Sequence, residues 1–218
     1  ADAYGLEFEF RKKLDFVSLL QNFTMAGNLA LIDNKVKDEA TNVNRPMQGQ
    51  SPYTLNLSLQ YDSQKSGFSS TVLFNIIGRR ILYVGNEQVP PIWEAPRPLL
   101  DYQIAKKIWK NKGEIKLNIS DILNQRAKYY HDLNDNKKYD AKDALAISRL
   151  TGTNFSLTLG YNFGDVLKNG SNLRVYAMGQ NLFVITKYSG VDPEIFGNID
   201  NGFYQRPKVY SLGFNFQF

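Results

Sequence analysis

The clearest pattern in this chain is the strict alternation of apolar and polar residues over positions 210–218. Five bulky apolar side chains alternate there with four small or polar ones: Tyr210, Leu212, Phe214, Phe216 and Phe218 against Ser211, Gly213, Asn215 and Gln217. A period of two predicts a β-strand with one apolar face and one hydrated face. Such strands are typical of membrane barrels, in which lipid covers one face and water the other.

The same period recurs along the chain and predicts about nine strands. They cover residues 3–13, 21–33, 52–62, 67–79, 98–109, 113–120, 153–163, 172–181 and 206–218. In the first strand, Glu7 and Glu9 alternate with phenylalanines. Carboxylates at these positions predict a water-facing wall, because unpaired charges are rarely buried in a dry core.

The connections between these strands alternate in length. Short links are predicted at 14–20, 62–66, 110–112 and 164–171, and long ones at 34–51, 80–97, 121–152 and 182–205. An up-and-down barrel in the outer membrane has short periplasmic turns and long external loops. The predicted fold class is therefore all-β: a transmembrane, antiparallel, up-and-down β-barrel in the bacterial cell outer membrane.

The odd number of strands predicts a partial barrel. Single-chain bacterial barrels have even strand counts, and an open sheet edge within a membrane needs a partner. The chain also begins inside a predicted strand and shows no signal peptide. We therefore expect residues 1–218 to form a single β-barrel segment of a longer protein.

Composition agrees with this fold class. The chain is 43% hydrophobic and 13% aromatic and contains no cysteine. No apolar run approaches the ~20 residues of a membrane-spanning helix. The net charge of +5 has two interpretations: attraction to anionic lipopolysaccharide or substrate, or lysines scattered over a solvated surface. A soluble all-β binding module is the alternative to a membrane barrel.

Residues 150–218 resemble the end of SusC-like TonB-dependent receptors of Bacteroidetes outer membranes. The resemblance is carried by Asn181-Leu182-Phe183, Thr186-Lys187-Tyr188, Gly190, Asp192-Pro193-Glu194 and Arg206-Pro207. It implies a barrel of about 22 strands, of which this chain supplies about the last nine without the amino-terminal plug. It also implies TonB-driven nutrient uptake, with TonB acting through the missing plug and a SusD-like lipoprotein as partner. The implied ligand is an oligosaccharide or a peptide.

Residues 1–163 are similar to a second group of TonB-dependent receptors, whose soluble amino-terminal extension is carboxypeptidase-regulatory-like. Segments 4–10, 45–53 and 121–124 carry this similarity. In addition, Asp121-Ile122-Leu123 resembles Asn181-Leu182-Phe183, and 157–163 resembles 212–218. Two interpretations are open: barrel hairpins look alike, or two receptor ends are joined near residues 163–172.

The terminal strand contains a candidate recognition signal. Its pattern of a polar residue, a glycine and two aromatics is formed by Ser211, Gly213, Phe216 and Phe218. This pattern resembles the β-signal that the barrel-assembly machinery reads during insertion. A strand with free N–H and C=O groups can add to an exposed sheet edge, and its side chains then set the register. The alternative is that these aromatics simply face lipid.

A candidate calcium loop lies in the third long connection. Oxygen-bearing side chains occupy loop positions 1, 3, 5, 9 and 12, namely Asp132, Asn134, Asn136, Asp140 and Asp143. Against calcium, Lys137 stands where the sharp turn of such loops has glycine, and position 12 lacks the bidentate glutamate. The alternative is a solvated external loop. No other cofactor is predicted.

The remaining residues do not indicate an enzyme. His131 is the only histidine and there is no cysteine, so the sequence does not predict a transition-metal site. No catalytic triad or phosphate-binding glycine loop stands out in the sequence. Trp93 and Trp109 suit a membrane-interface belt or a ligand-contacting loop. Basic residues are not interleaved with aromatics as a nucleic-acid groove requires, so no nucleic-acid partner is expected.

Overall fold

Nine antiparallel strands follow one another in chain order across the main sheet of the computed structural model, which describes residues 1–38, 43–86, 88–164, 170–187 and 207–217. The strands are β1 (Asp2–Lys13), β2 (Phe23–Asp38), β3 (Val43–Arg45), β4 (Tyr53–Ser63), β5 (Phe68–Ile77), β6 (Arg80–Tyr83), β7 (Ile92–Glu94), β8 (Leu99–Ile108), β9 (Gly113–Ser120), β10 (Ala127–His131), β11 (Ala144–Arg149), β12 (Thr153–Gly164), β13 (Asn172–Gln180), β14 (Val184–Ile185) and β15 (Val209–Gln217). A short 3-10 turn spans Ser18–Leu20. Within the described residues, no helix is long and apolar enough to cross a bilayer.

The main sheet confirms the nine predicted strands. Its order is β1-β2-β4-β5-β8-β9-β12-β13-β15, so each of these strands pairs with the next strand of the main sheet along the chain. The two short strands β3 and β14 extend this sheet by pairing with β2 and β12. The largest boundary difference is in β2, which reaches Asp38 because its end pairs with β3.

The alternation of short and long connections is also confirmed. Residues 14–22, 64–67 and 109–112 join strands at one end of the sheet, which we call the turn end. The end of β12 and the start of β13 also pair at this end. At 109–112 the chain reverses through Lys110 and Asn111, whose φ angles of 55° and 67° match the two central residues of a type I′ turn. The opposite end carries the long connections, and we call it the loop end.

The long connections are not plain loops, and in this respect the sequence prediction was wrong. Strands β6, β7, β10 and β11 form a second antiparallel sheet in the order β11-β10-β7-β6, which we call the external sheet. Each of its strands lies next along the chain to one of β5, β8, β9 and β12, in the same lateral order. Four strands of the main sheet therefore continue beyond the loop end after a bend. These extensions are only three to six residues long, too short to show a period of two.

Tightly buried apolar side chains are concentrated near the external sheet. Four of them are almost inaccessible to solvent: Ile81, Ala127, Tyr130 and Leu150. In the main sheet, Ala105 is buried to a similar extent. Every residue of β1 is exposed, and β1 and β15 are the edge strands of the main sheet in the part of the chain that the structure describes. A single sheet with two accessible faces fits a segment of barrel wall. The predicted junction near 163–172 stays a prediction, since 165–169 lie outside the described residues.

Candidate functional site

One face of the main sheet is polar from edge to edge. Glu9, Asn28, Asn56 and Asn75 lie opposite one another on β1, β2, β4 and β5. The Asn75 amide donates to Asn56 Oδ1 at 2.7 Å, and Glu7 accepts a hydrogen bond from Asn28. Directly paired residues share a face in an antiparallel sheet, so both predicted wall carboxylates, Glu7 and Glu9, lie on this polar face.

Amide and hydroxyl groups continue this face across the central strands. Gln103 donates to Asn118 Oδ1 at 2.7 Å, and Thr71 and Ser156 flank this pair on β5 and β12. Ionic groups are placed nearer the turn end, where Arg174 pairs with Glu114 across β12. Gly160 leaves room for this pair, because a Cβ at position 160 would lie 3.1 Å from the Arg174 guanidinium and crowd it. The sequence analysis missed this pair, whose members lie 60 residues apart.

The opposite face of the main sheet is apolar. Cross-strand rows of aliphatic and aromatic residues run from edge to edge; one row contains Ile104, Leu117 and Leu157, and another contains Leu57, Phe74 and Leu100. Large side chains on the edge strands are strongly exposed, including Tyr4 at 74% and Leu212 at 81%. An apolar surface this continuous needs a covering layer. In a barrel wall that layer is lipid.

An aromatic cluster marks the turn end of the apolar face. The Trp109 ring lies over Gly113 and 5.8 Å from the ring of Tyr161, which packs 4.7 Å from Phe163. Trp109 remains 66% exposed. This position agrees with the interface belt predicted for Trp109, because amphipathic rings collect where lipid meets water.

The external sheet is fastened by ionic groups. Arg79 pairs with the buried Asp132, contacts the Tyr130 hydroxyl, and stacks its guanidinium 3.6 Å above the ring of Trp93. Arg80 pairs with Glu94 at 2.6 Å. Trp93 is therefore half-buried in this sheet, whereas a membrane belt or a ligand-contacting loop was predicted for it.

A second ionic node joins the external sheet to the main sheet. The Asp121 carboxylate accepts hydrogen bonds from Arg97 at 2.7 Å and from the Thr151 hydroxyl at 2.8 Å. Its backbone N–H donates to Asp101 on β8, also at 2.8 Å. Because Arg97 and Thr151 lie in two different links between the sheets, Asp121 holds both links against the wall.

Comparison with known proteins agrees with this two-faced sheet. The model of the outer membrane protein beta-barrel family matches residues 1–161. The chain belongs to that family. It is also 43% identical over 67 residues to the TonB-dependent receptor SusC of Bacteroides thetaiotaomicron, a match covering 29% of this chain and 7% of the relative. No solved structure matches the chain.

Membership in this outer membrane family assigns the two faces and confirms the bacterial outer membrane as the location of the protein. The polar face is the lumen wall, and the apolar face meets lipid. The loop end is external, because outer-membrane barrels place long connections outside and short turns in the periplasm. The 67 matched residues are a small part of SusC, so the activity of a whole receptor is a separate question.

The predicted calcium ligands lie together in the 132–143 loop next to the external sheet. Asn134 and Asn136 both donate to Asp140 Oδ2, and Asp143 accepts the Asp140 backbone N–H at 2.8 Å. Lys137 has a φ of 64°, the left-handed backbone that a calcium loop needs at its sixth position. Asp132, at the first position, is already paired with Arg79.

Hydrogen bonds lower the pKa of Asp132 in this loop. Burial raises the pKa of Asp132, but the Arg79 hydrogen bond and the Lys137 and Asn136 N–H groups outweigh it, so the pKa lies below its ordinary value. Within the described residues, no three Asp, Glu, His or Cys side chains converge as a metal-binding set. The predicted set includes two asparagine amides, so calcium binding stays a prediction.

His131 is placed as a structural residue. Its Nδ1 lies 3.1 Å from the Pro90 carbonyl oxygen and 3.2 Å from that of Pro91. Both partners are acceptors, so Nδ1 carries a proton and donates to them. This bond ties the end of β10 to the segment before β7.

The candidate β-signal residues lie on both faces of β15. Ser211 and Gly213 face the lumen opposite Met178 and Tyr176, while Phe216 faces lipid opposite Leu173. A Cβ at Gly213 would lie 2.5 Å from the Tyr176 hydroxyl oxygen, so the tyrosine covers this glycine. Phe218 lies outside the described residues, and recognition by the assembly machinery stays a prediction.

The two similar motifs at 121–123 and 181–183 have the same backbone geometry. Asp121 and Asn181 have φ angles of 54° and 52°, a left-handed conformation that Asp and Asn tolerate. The next residue then donates its N–H to the neighbouring strand, Ile122 to Leu100 at 2.8 Å and Leu182 to Phe155 at 3.1 Å. Of the other predicted motif residues, Tyr188, Gly190, Asp192, Pro193, Glu194 and Arg206 lie outside the described residues.

Proposed function

We propose that this chain forms the last barrel strands of a TonB-dependent, SusC-like active transporter. The observation that carries the proposal is the two-faced meander of nine strands with every long connection at one end. The 43% identity to SusC over 67 residues supports this class among outer-membrane barrels. The function is transport rather than catalysis of a covalent reaction.

The two faces suggest how such a transporter uses this segment. The lumen wall offers neutral amide and hydroxyl groups, such as Asn56, Gln103 and Ser156, along a hydrated path. Polar groups of this kind can exchange hydrogen bonds with a passing polar ligand at little net cost. The class of ligand that follows is a polar nutrient, an oligosaccharide or a peptide.

The partners follow from the same proposal. A plug carried elsewhere in the complete protein would occupy the lumen and couple to TonB in the periplasm. A SusD-like lipoprotein would cover the external sheet, which stands at the loop end where ligand enters. Lipid of the outer membrane covers the apolar face.

A binding experiment tests the transporter assignment. The polypeptide carrying these residues is purified from outer membranes in detergent, and its intact mass and its binding to the periplasmic domain of TonB are measured. We expect a mass far above that of a 218-residue chain, and saturable TonB binding. A polypeptide of only this length contradicts the proposal, and so does a longer polypeptide that does not bind TonB at any concentration tested.

A second candidate function is that of a client held by the barrel-assembly machinery through its terminal strand. One observation favours it: β15 is an edge strand of the main sheet among the described residues, and edge strands can add to a partner sheet. Deleting Phe218 should abolish co-purification with the assembly machinery, whereas deleting Ala1 should not. Unchanged co-purification without Phe218 contradicts this candidate.

A further inference from the structure

We propose that a groove on the lipid face of β13 binds an acyl chain of a phosphorylated glycolipid of the outer leaflet. This inference rests on the family membership and on the assignment of the two faces, and it does not depend on transport. The floor and walls of the groove come from three adjacent strands, and the external end of the groove lies beside a lysine.

The groove exists because β13 carries small residues where its neighbours carry large ones. Ala177 forms the open floor, and Gly179 lies at its external end beneath Leu182. Leu157 and Leu159 of β12 form one wall, and Tyr210 and Leu212 of β15 form the other. The volume of the groove is ≈ 420 Å³. Since walls two strands apart are separated by about 10 Å, the groove has the width of a hydrocarbon chain and runs along the strand.

Leu182 closes the groove at its external end. The left-handed turn at Asn181 directs the chain back towards β12, and a Cβ at Gly179 would lie 2.8 Å from Leu182 Cδ2. Beyond it, the Phe183 ring stacks on Phe155 at 4.1 Å. The Asn181-Leu182-Phe183 motif thus builds an apolar rim for the groove.

Other small residues on the lipid face are covered by the protein itself. A Cβ at Gly27 would lie 2.5 Å from the Phe10 ring, and one at Gly113 would meet the Trp109 ring. At Ala177, by contrast, the flanking Leu159 and Leu212 remain 48% and 81% exposed. Among the described residues, none covers Ala177, so the space above it is available to lipid.

A positive charge stands at the outer-leaflet end of the groove. Continuing the β13–β15 register by one step places Lys208 opposite Asn181, whose side-chain amide donates to the Pro207 carbonyl at 3.5 Å. Alternation from Tyr210 assigns Lys208 to the lipid face, and Lys208 is exposed. A lysine at a membrane surface attracts anionic headgroups, and its ammonium group donates charge-assisted hydrogen bonds to phosphate.

Native mass spectrometry tests the site. The protein purified from outer membranes in detergent is titrated with phosphorylated lipid A and with the dephosphorylated form. We expect preferential binding of the phosphorylated form. Ala177→Leu should weaken the binding of both lipids roughly tenfold. The larger side chain would displace about two buried methylene groups of the acyl chain, which corresponds to that factor. Lys208→Ser should abolish only the preference for phosphate.

Lys12→Ser is the matched control, since Lys12 lies on the lipid face at the turn end, opposite Met25. It should leave both affinities unchanged. Heat-dependent gel mobility verifies folding, and Ala177→Val replaces Ala177→Leu if the larger side chain prevents assembly. If the Ala177→Leu or Ala177→Val variant binds lipid A with unaltered affinity, the proposal that the groove binds an acyl chain is overturned. A phosphate preference that survives Lys208→Ser, or is absent in the wild type, overturns the headgroup assignment.

Discussion

Gly213 offers a test of whether the terminal strand is specified by packing or by recognition. Gly213 belongs to the candidate β-signal, yet it also lies beneath the Tyr176 ring on the lumen face. We expect Gly213→Ala to destabilise the β13–β15 hairpin when Tyr176 is present. The same substitution should be stabilising once Tyr176 has been replaced by alanine.

The size of the effect follows from two opposing terms. An added Cβ at position 213 would lie 2.5 Å from the Tyr176 hydroxyl oxygen and 2.9 Å from its Cε1, well inside van der Waals contact. Overpacking of this kind costs about 1–3 kcal/mol, while replacing glycine by alanine within a strand returns roughly 0.5–1 kcal/mol of backbone entropy. With Tyr176 in place, the net destabilisation is up to about 2.5 kcal/mol. In the Tyr176→Ala background only the entropy gain remains, so the sign reverses.

A double-mutant cycle measures this reversal. The free energy of unfolding of wild type, both single variants and the double variant is determined from urea titrations in lipid vesicles. Asn215→Ala is the control, because position 215 shares the face and the strand with Gly213 but lies opposite Arg174 and outside the candidate β-signal. Yields of assembled protein in cells are measured for the same five proteins.

Two results would refute the packing argument. The first is a Gly213→Ala effect of the same sign and size in both backgrounds, which would mean that Tyr176 is irrelevant. The second is a loss of cellular assembly in Gly213→Ala that persists in the Tyr176→Ala background, although Tyr176→Ala restores the free energy of unfolding. That second result would assign Gly213 to recognition by the assembly machinery.

Four further predictions concern the loop end. Asn181→Ala should cost about 1–2 kcal/mol and Asn181→Gly almost nothing, because φ is 52°, and urea midpoints decide this. Arg79→Gln should leave Asp132 buried without its cation and destabilise the external sheet by about 3 kcal/mol, seen as faster amide exchange in β10 and β11 than in an Arg11→Gln control. Because the pKa of Asp132 is lowered in the folded state, its contribution to stability is present above its unfolded pKa and is lost as pH falls through its folded pKa. The protection factors of β10 and β11, which correct for the slower intrinsic exchange in acid, should therefore fall in the wild type as the pH is lowered. They should fall less in the Arg79→Gln variant, which keeps only the hydrogen bonds from the Lys137 and Asn136 N–H groups. Tb³⁺ should bind the 132–143 loop and luminesce through Tyr139, and Asp140→Asn should abolish the signal; a wild-type protein without Tb³⁺ luminescence contradicts the calcium prediction.

The main sheet was predictable from the sequence because its cause is local. Each strand separates lipid from water, so alternate residues must differ in polarity over about ten positions, as in β4 and β15. The order of the sheet followed as well, because short turns such as 109–112 leave adjacent strands no other antiparallel partner. The same logic located Glu7 and Glu9 on the lumen wall.

The external sheet and its ionic contacts were decided by tertiary structure. Arg79 and Asp132 lie 53 residues apart, and nothing in either local segment indicates the partner. Strands of three to six residues show no readable period, so β6, β7, β10 and β11 form only because the strands beneath them are already adjacent. The contacts of Trp93 could not be predicted for the same reason, since Arg79 supplies them from the segment between β5 and β6.

The difference between the main sheet, which was predicted, and the cross-strand contacts, which were not, has one physical origin. Alternation of polarity is dictated by the two solvents on either side of a single sheet, and the sequence by itself therefore determined the fold class, the strands and their faces. Packing between side chains on different strands depends on register and on the small residues that admit large neighbours. The covering of Gly213 by Tyr176, the reach of Arg174 over Gly160 and the open groove at Ala177 are of this kind, and only the tertiary structure decided them.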